Sequence, residues 1–155
     1  MDSRVSRKWK DDLINKIIKK YDIIEAIKLH KGELLVKVLN FYYDIHNYQL
    51  ERREKHCSIR LGDKRPKYQD GDIVWITYGI RDEVLKKIYT GAIRRVDYKQ
   101  IKQLTKEDLV SENPSAPTIE QLLEFLQKIY KKPITVDDYV SVIYFREIIE
   151  EMVEE

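Results

Sequence analysis

The sequence contains a single cysteine, Cys57. No disulfide can close within the chain, so packing must supply the stability, and a reducing interior is the natural compartment. The three histidines, His30, His46 and His56, share no metal-ligand spacing with it, which argues against a zinc centre. Glycine is scarce, five in 155 residues, and none is arranged as a phosphate-cradling loop. With neither pattern present, no metal and no cofactor are expected. Apolar runs of membrane-spanning length are missing, and the first residues are charged rather than apolar as a secretory signal would be. These absences predict a soluble cytoplasmic protein with no membrane partner. A large excess of either charge is missing too: the net charge is only +2, so nothing global marks a nucleic-acid binder.

What is present is a chain long enough for one domain, or one domain and an appendage, with 43% hydrophobic residues to bury. Charged residues of both signs make up 36%, with Lys, Glu and Ile abundant, a composition that leans toward the ion-pair networks of heat-adapted proteins. The charge is unevenly placed. Residues 1–31 and 51–67 each carry +4, and residues 146–155 carry −4. A local basic stretch attracts phosphates even on a near-neutral molecule; the plainer reading of 51–67 is a solvated loop.

Hydrophobic period organises the chain. Val5, Trp9, Leu13, Ile17, Tyr21 and Ile24 predict a helix over 3–31, or two helices divided at Asp22, ended by Gly32. Its wide apolar stripe leaves three uses open: a cap on the rest of the protein, a homodimer contact, or RNA contact through Arg4, Arg7, Lys8 and Lys10. A first strand is expected over Leu34–Phe41, a short helix over 43–52, and a buried strand at Ile73–Ile76 after the Gly71-Asp72 turn. Another strand is expected within 87–98. Thr105 with Asp108, and Thr118 with Gln121, mark two helix starts; the first helix must stop before Asn113-Pro114, the second before Pro133. A last strand is expected over Tyr139–Phe145 and an acidic helix over 146–154. The pattern as a whole is α+β, a small curved sheet or barrel with flanking helices.

One segment carries more than fold. From Cys57 to Leu61 apolar and polar residues alternate, the period of a half-buried strand, which turns Cys57 inward as a small hydrophobe. Ser58 and Arg60 share the opposite face, and Lys55 stands just before them. A hydroxyl, an amine and a guanidinium are thus a possible nucleophile, base and anion-binding group. Residues 55 and 58 would face opposite sides of a continuous strand, so Lys55 must lie in a turn or at a helix end.

The order of these pieces resembles the ASCH domain, a small β-barrel family related to the PUA RNA-binding fold. The resemblance covers about residues 34–146. It rests on Lys55-His56-Cys57-Ser58-Ile59-Arg60, on Tyr68-Gln69-Asp70-Gly71-Asp72-Ile73-Val74, on Leu104-Thr105-Lys106-Glu107-Asp108 with Ser111-Glu112-Asn113, on the helix Ile119 to Tyr130, and on the strand Val140 to Phe145. It divides the chain into an N-terminal extension (1–33), the ASCH-like domain (34–146) and an acidic tail (147–155).

Some small members of that family look to be amidohydrolases acting on N(4)-acetylcytidine. Their lysine, threonine and glutamate would fall on Lys55, Ser58 and Glu112, with serine keeping the hydroxyl. The family glycine before the lysine is replaced by Arg53-Glu54. The resemblance implies Ser58 as nucleophile, Lys55 as base and Glu112 as the acid for the leaving nitrogen, with a modified nucleoside or RNA as partner. Other members bind RNA without chemistry. In that reading Arg53, Arg60, Lys64, Arg65 and Lys67 would meet phosphates, and Tyr68, Tyr78 or Tyr130 would stack on bases. The plainest alternative makes Lys55 and Glu112 an ordinary ion pair, worth roughly 0–1 kcal/mol if exposed, with Ser58 as its hydrogen-bond neighbour.

Overall fold

The computed structural model of the protein describes residues 36–80 and 84–148. The expected helix over 3–31, with its dimer and RNA readings, lies outside them, as does Leu34-Leu35 of the first strand. Five strands and three helices follow: β1 (Lys37–Phe41), α1 (Asp44–Glu51), β2 (Cys57–Leu61), β3 (Ile73–Tyr78), β4 (Lys86–Gln100), α2 (Lys106–Glu112), α3 (Ile119–Tyr130) and β5 (Tyr139–Glu147). The α+β expectation holds. The strands follow the hydrogen-bonded order β1-β3-β4-β5-β2. Among the described residues no helix is long and apolar enough to cross a membrane.

The chain divides into two compact units. Among the described residues, one collects 36–43, 72–80, 84–92 and 147–148. Within it β1 and β3 pair in parallel, Lys37 opposite Val74, which requires a long crossover between them. β3 pairs antiparallel with β4, with an irregularity between Ile76 and Thr77. Ile73 and Trp75 form its core, with Val36, Val38, Leu85 and Ile148 packed against them.

The second unit is Asp44–Gly71 with Ile93–Arg146, and it holds every residue of the expected catalytic site. Here β2 pairs antiparallel with β5, Ser58 opposite Ile143 and Arg60 opposite Ser141. The inward residues Cys57, Ile59, Val140, Val142 and Tyr144 meet Leu109, Leu122 and Leu126 from α2 and α3. This is the alternation and helical stripe of the sequence made into one core. Thr105 caps α2 with the full reciprocal box: its hydroxyl accepts the Asp108 N–H and its own N–H donates to Asp108. Thr118 caps α3 by accepting the Gln121 N–H at 3.2 Å.

Two expectations fail at element ends. Residues 146 and 147 continue β5 rather than start a helix, and Ile148 N–H donates to Thr90 O at 2.9 Å. The rest of the expected acidic helix lies outside the described residues. A 3-10 turn at Ile101–Gln103 was not expected; it buries Ile101, tied to the chain before β5 by Ile101 N–H donating to Asp138 O at 3.0 Å.

Candidate active site

α1 ends in a way that places Lys55. Glu54 N–H donates back to Gln49 O at 2.8 Å and Arg53 N–H to Leu50 O at 3.1 Å, the paired bonds of a Schellman cap. That cap needs one residue in the left-handed region, and Arg53 supplies it at φ 59°. The left-handed turn that favours glycine is here made by an arginine. The Arg53 guanidinium folds back onto Leu50 O and Glu51 O, both at 3.0 Å, closing the helix end. Lys55 follows outside β2, as the strand period requires.

α2 brings the acid. Its last residue, Glu112, lies against the edge of β2, where its Oε2 accepts the Ile59 N–H at 2.7 Å. The same oxygen lies 2.9 Å from Lys55 Nζ. Lys55 Nζ also donates to the Glu112 backbone carbonyl at 2.6 Å, so the ammonium satisfies a helix C-terminal oxygen where a cation is favoured. Lys55 is 1% exposed, Ser58 4% and Glu112 4%. The ion pair of the plain alternative is present and buried, so the small value of an exposed pair does not apply to it. Arg60 Nε donates to Ser58 Oγ at 2.9 Å. Lys55 and Glu112 thus meet at the edge of β2, the strand that carries Ser58 and Arg60.

The other predicted residues are elsewhere or otherwise engaged. Tyr68 is 1% exposed and belongs to the core, so it offers no face to a base. Tyr130 OH accepts the Leu61 N–H at 3.1 Å, acting as a lock on the same strand edge. Arg65 is held by Asp63 at 2.9 and 2.8 Å, which neutralises part of the expected basic patch. Lys67 lies 5.3 Å from the Tyr68 ring, and the Lys64 N–H caps Ser141 Oγ at 2.8 Å. Cys57 is fully buried and its thiol points at Asp108 O, 3.5 Å away. Burial, with the Glu112 charge adding to it, pushes that thiol well up, so it is no nucleophile.

Two polar residues that the sequence reading passed over are buried on α1, one against Glu112 and one against Asn113. His46 lies on the buried face of α1, 3.7 Å from Glu112 Oε1 and edge-on to Phe125. Burial, then the charges of Lys55 and Arg60, push its pKa down to about 2. The contact with Glu112 is therefore made by a neutral ring and is not an ion pair. Gln49, one turn later on that face, donates from Nε2 to Asn113 Oδ1 at 2.7 Å. Both are spaced as core positions of a short polar helix. Only the i, i+3 pairing of two polar residues with Leu50 inside the turn could have signalled them.

Beneath the site a second cluster holds α2 in place. Asp108 accepts from Lys99 Nζ at 2.6 Å and from the Tyr144 hydroxyl. Burial pushes the Asp108 carboxyl up, but the bonds from Lys99, Tyr144 and the Thr105 N–H outweigh it and leave it below the usual range.

The fold is shared with solved structures. An ASCH domain from Lactobacillus crispatus JV V101 superposes with a TM-score of 0.57 at 16% identity, over 89% of this chain and 93% of that one. Protein EF3133 from Enterococcus faecalis V583, of family DUF984, gives 0.56 at 10% identity over 83% and 91%. Hypothetical protein PH0355 gives 0.53 at 16% identity over 74% and 100%. No protein-family model matches the sequence, and no curated protein matches it. Likeness at such low identity speaks to architecture, and on that ground the chain has the fold of an ASCH domain.

Proposed function

We propose that the Lys55–Ser58–Glu112 site hydrolyses the acyl amide of an N(4)-acetylcytidine-type nucleoside. The observation that carries this reading is the buried ion pair, Lys55 Nζ 2.9 Å from Glu112 Oε2, fastened to the strand that bears Ser58. Burying a lysine and a glutamate is a poor way to gain stability, because desolvation offsets most of their attraction. A pair kept there, fastened to the strand that carries the buried Ser58 hydroxyl, is suited to moving protons.

Transfer of one proton along the Nζ–Oε2 hydrogen bond converts the pair into amine and carboxylic acid. Lys55 then takes the Ser58 proton as Oγ attacks the acetyl carbon. Arg60, bonded to Ser58, faces the oxyanion that develops. Glu112 gives its proton to N4 as the C–N bond breaks, and cytidine leaves. Water then attacks the acetyl-Ser58 carbon and passes a proton to Glu112. The Lys55 ammonium returns its proton to Ser58 Oγ, acetic acid departs, and Glu112 passes its proton back to Lys55.

Incubation of the purified chain with N(4)-acetylcytidine, with chromatography of the products, tests this. Cytidine release is expected, and it should fall at least about a hundredfold in Ser58→Ala and Lys55→Ala variants that keep their circular dichroism. No release, or equal release by Lys55→Ala, overturns the reading.

A second reading, a PUA-like RNA-binding module, is favoured by a different observation. Tyr98 and Tyr139, both partly exposed, stack at 5.0 Å with Arg65 4.6 Å above Tyr98. These tyrosines, not Tyr68, would stack on bases beside Arg60, Lys64, Arg65 and Lys67. Binding to an RNA pool that weakens steeply with salt would support it; salt-insensitive binding or none would refute it.

A further inference from the structure

The buried face of α1 presents Gln49, an amide that the reaction above does not use. Gln49 is fully buried. Its Nε2 donates to Asn113 Oδ1 at 2.7 Å and lies 3.3 Å from Ser115 Oγ. Those contacts orient the amide, since the flipped amide would set Oε1 against the Asn113 carbonyl oxygen. Oε1 is thereby left buried with no hydrogen-bond partner among the described residues. A buried acceptor without a donor is unfavourable and calls for a ligand donor. Asn113 directly follows Glu112. His46, on the same helix face, approaches Glu112 Oε1 at 3.7 Å. The Gln49 amide is therefore anchored to the residue that follows Glu112 in the chain.

We infer that Gln49 Oε1 accepts a hydrogen bond from the exocyclic N4–H of a bound cytosine, making Gln49 a specificity-determining residue of the site. The inference rests on the hydrolase reading for the placement of the base. The scissile nitrogen of N(4)-acetylcytidine carries one hydrogen and the product carries two, so a fixed acceptor reads both. A base with no hydrogen on N4 would leave Oε1 buried and unanswered, and a site built around such an acceptor discriminates strongly.

Calorimetric titration of the full chain with cytidine, N(4)-methylcytidine and N(4),N(4)-dimethylcytidine tests this without needing turnover. The wild type is expected to bind cytidine at least about tenfold more tightly than the dimethyl compound. In Gln49→Met, of similar volume, the difference should shrink below about threefold. The bulk of the methyl groups is felt in both proteins, so its loss reports the hydrogen bond rather than size. A preference retained by Gln49→Met, or no binding or no preference in the wild type, overturns the inference. Should Gln49→Met fail to fold, N(4)-methylcytidine decides: binding like cytidine supports the inference, and binding like the dimethyl compound refutes it. The cytidine preference without cytidine release from N(4)-acetylcytidine would refute the hydrolysis alone.

Discussion

Acidification tests the environment of His46. The ring is 5% exposed, packed edge-on to Phe125 at 5.1 Å between centroids. Burial, followed by the positive charges of Lys55 and Arg60, moves its pKa from 6.5 to about 2. The folded value is the depressed one, so below pH 6.5 the unfolded chain binds a proton that the folded chain refuses, and stability falls with pH. The contribution is intact above the unfolded pKa and drains away as the pH drops toward the folded one. Each pH unit inside that window is worth about 1.4 kcal/mol. At pH 4.5 the loss from this ring is roughly 2.7 kcal/mol, a large share of the roughly 5–15 kcal/mol that holds a domain folded. His46→Phe keeps a ring beside Phe125 and removes the titration. Urea unfolding of both proteins at about pH 7.5 and 4.5 should show the stability gap swinging by roughly 2–3 kcal/mol toward the variant on acidification. A gap that changes by less than about 0.5 kcal/mol would refute the reasoning and mean that the folded ring takes up its proton.

Three further outcomes follow from the geometry. Lys55→Met strands the Glu112 carboxylate in the interior and should lower stability by about 3–5 kcal/mol, while adding Glu112→Gln should restore about half; equal losses in urea titrations would show that the pair is not buried as described. Arg53→Gly exchanges left-handed strain for unfolded-state entropy and two lost hydrogen bonds, so its thermal midpoint should correspond to a change within about 1 kcal/mol; a larger loss would show that the guanidinium cap dominates. Tyr130→Phe removes the acceptor of the Leu61 N–H and should cost about 1–3 kcal/mol, with faster hydrogen exchange at Leu61; unchanged exchange would place that N–H on another acceptor.

Much of the fold was legible because its signals are local. The alternation Cys57–Leu61 reads as β2, the Thr105–Asp108 box as the start of α2, and the stripe of Leu122 and Leu126 as the core face of α3. Even the position of Lys55 outside the strand follows from period-2 geometry. The element ends were less legible. Arg146 and Glu147 look helical beside a run of glutamates, yet β5 carries them on, because pairing with other strands overrides propensity. The site was legible only through a resemblance: nothing between residues 55 and 112 connects Lys55 to Glu112 in sequence.

The sequence by itself determined the short-range choices: which residues are helical or extended, where helices are capped, and that Cys57 faces inward. Those choices depend on neighbours within about four residues, the reach of a turn or a pleat. The tertiary structure alone decided burial and partnership. It set Glu112 against a lysine 57 positions away, buried Tyr68 while leaving Tyr98 and Tyr139 partly exposed, and turned the polar residues His46 and Gln49 into the interior. Which face of an element meets which other face is fixed by packing across the whole unit, and the period of a single segment carries no record of it.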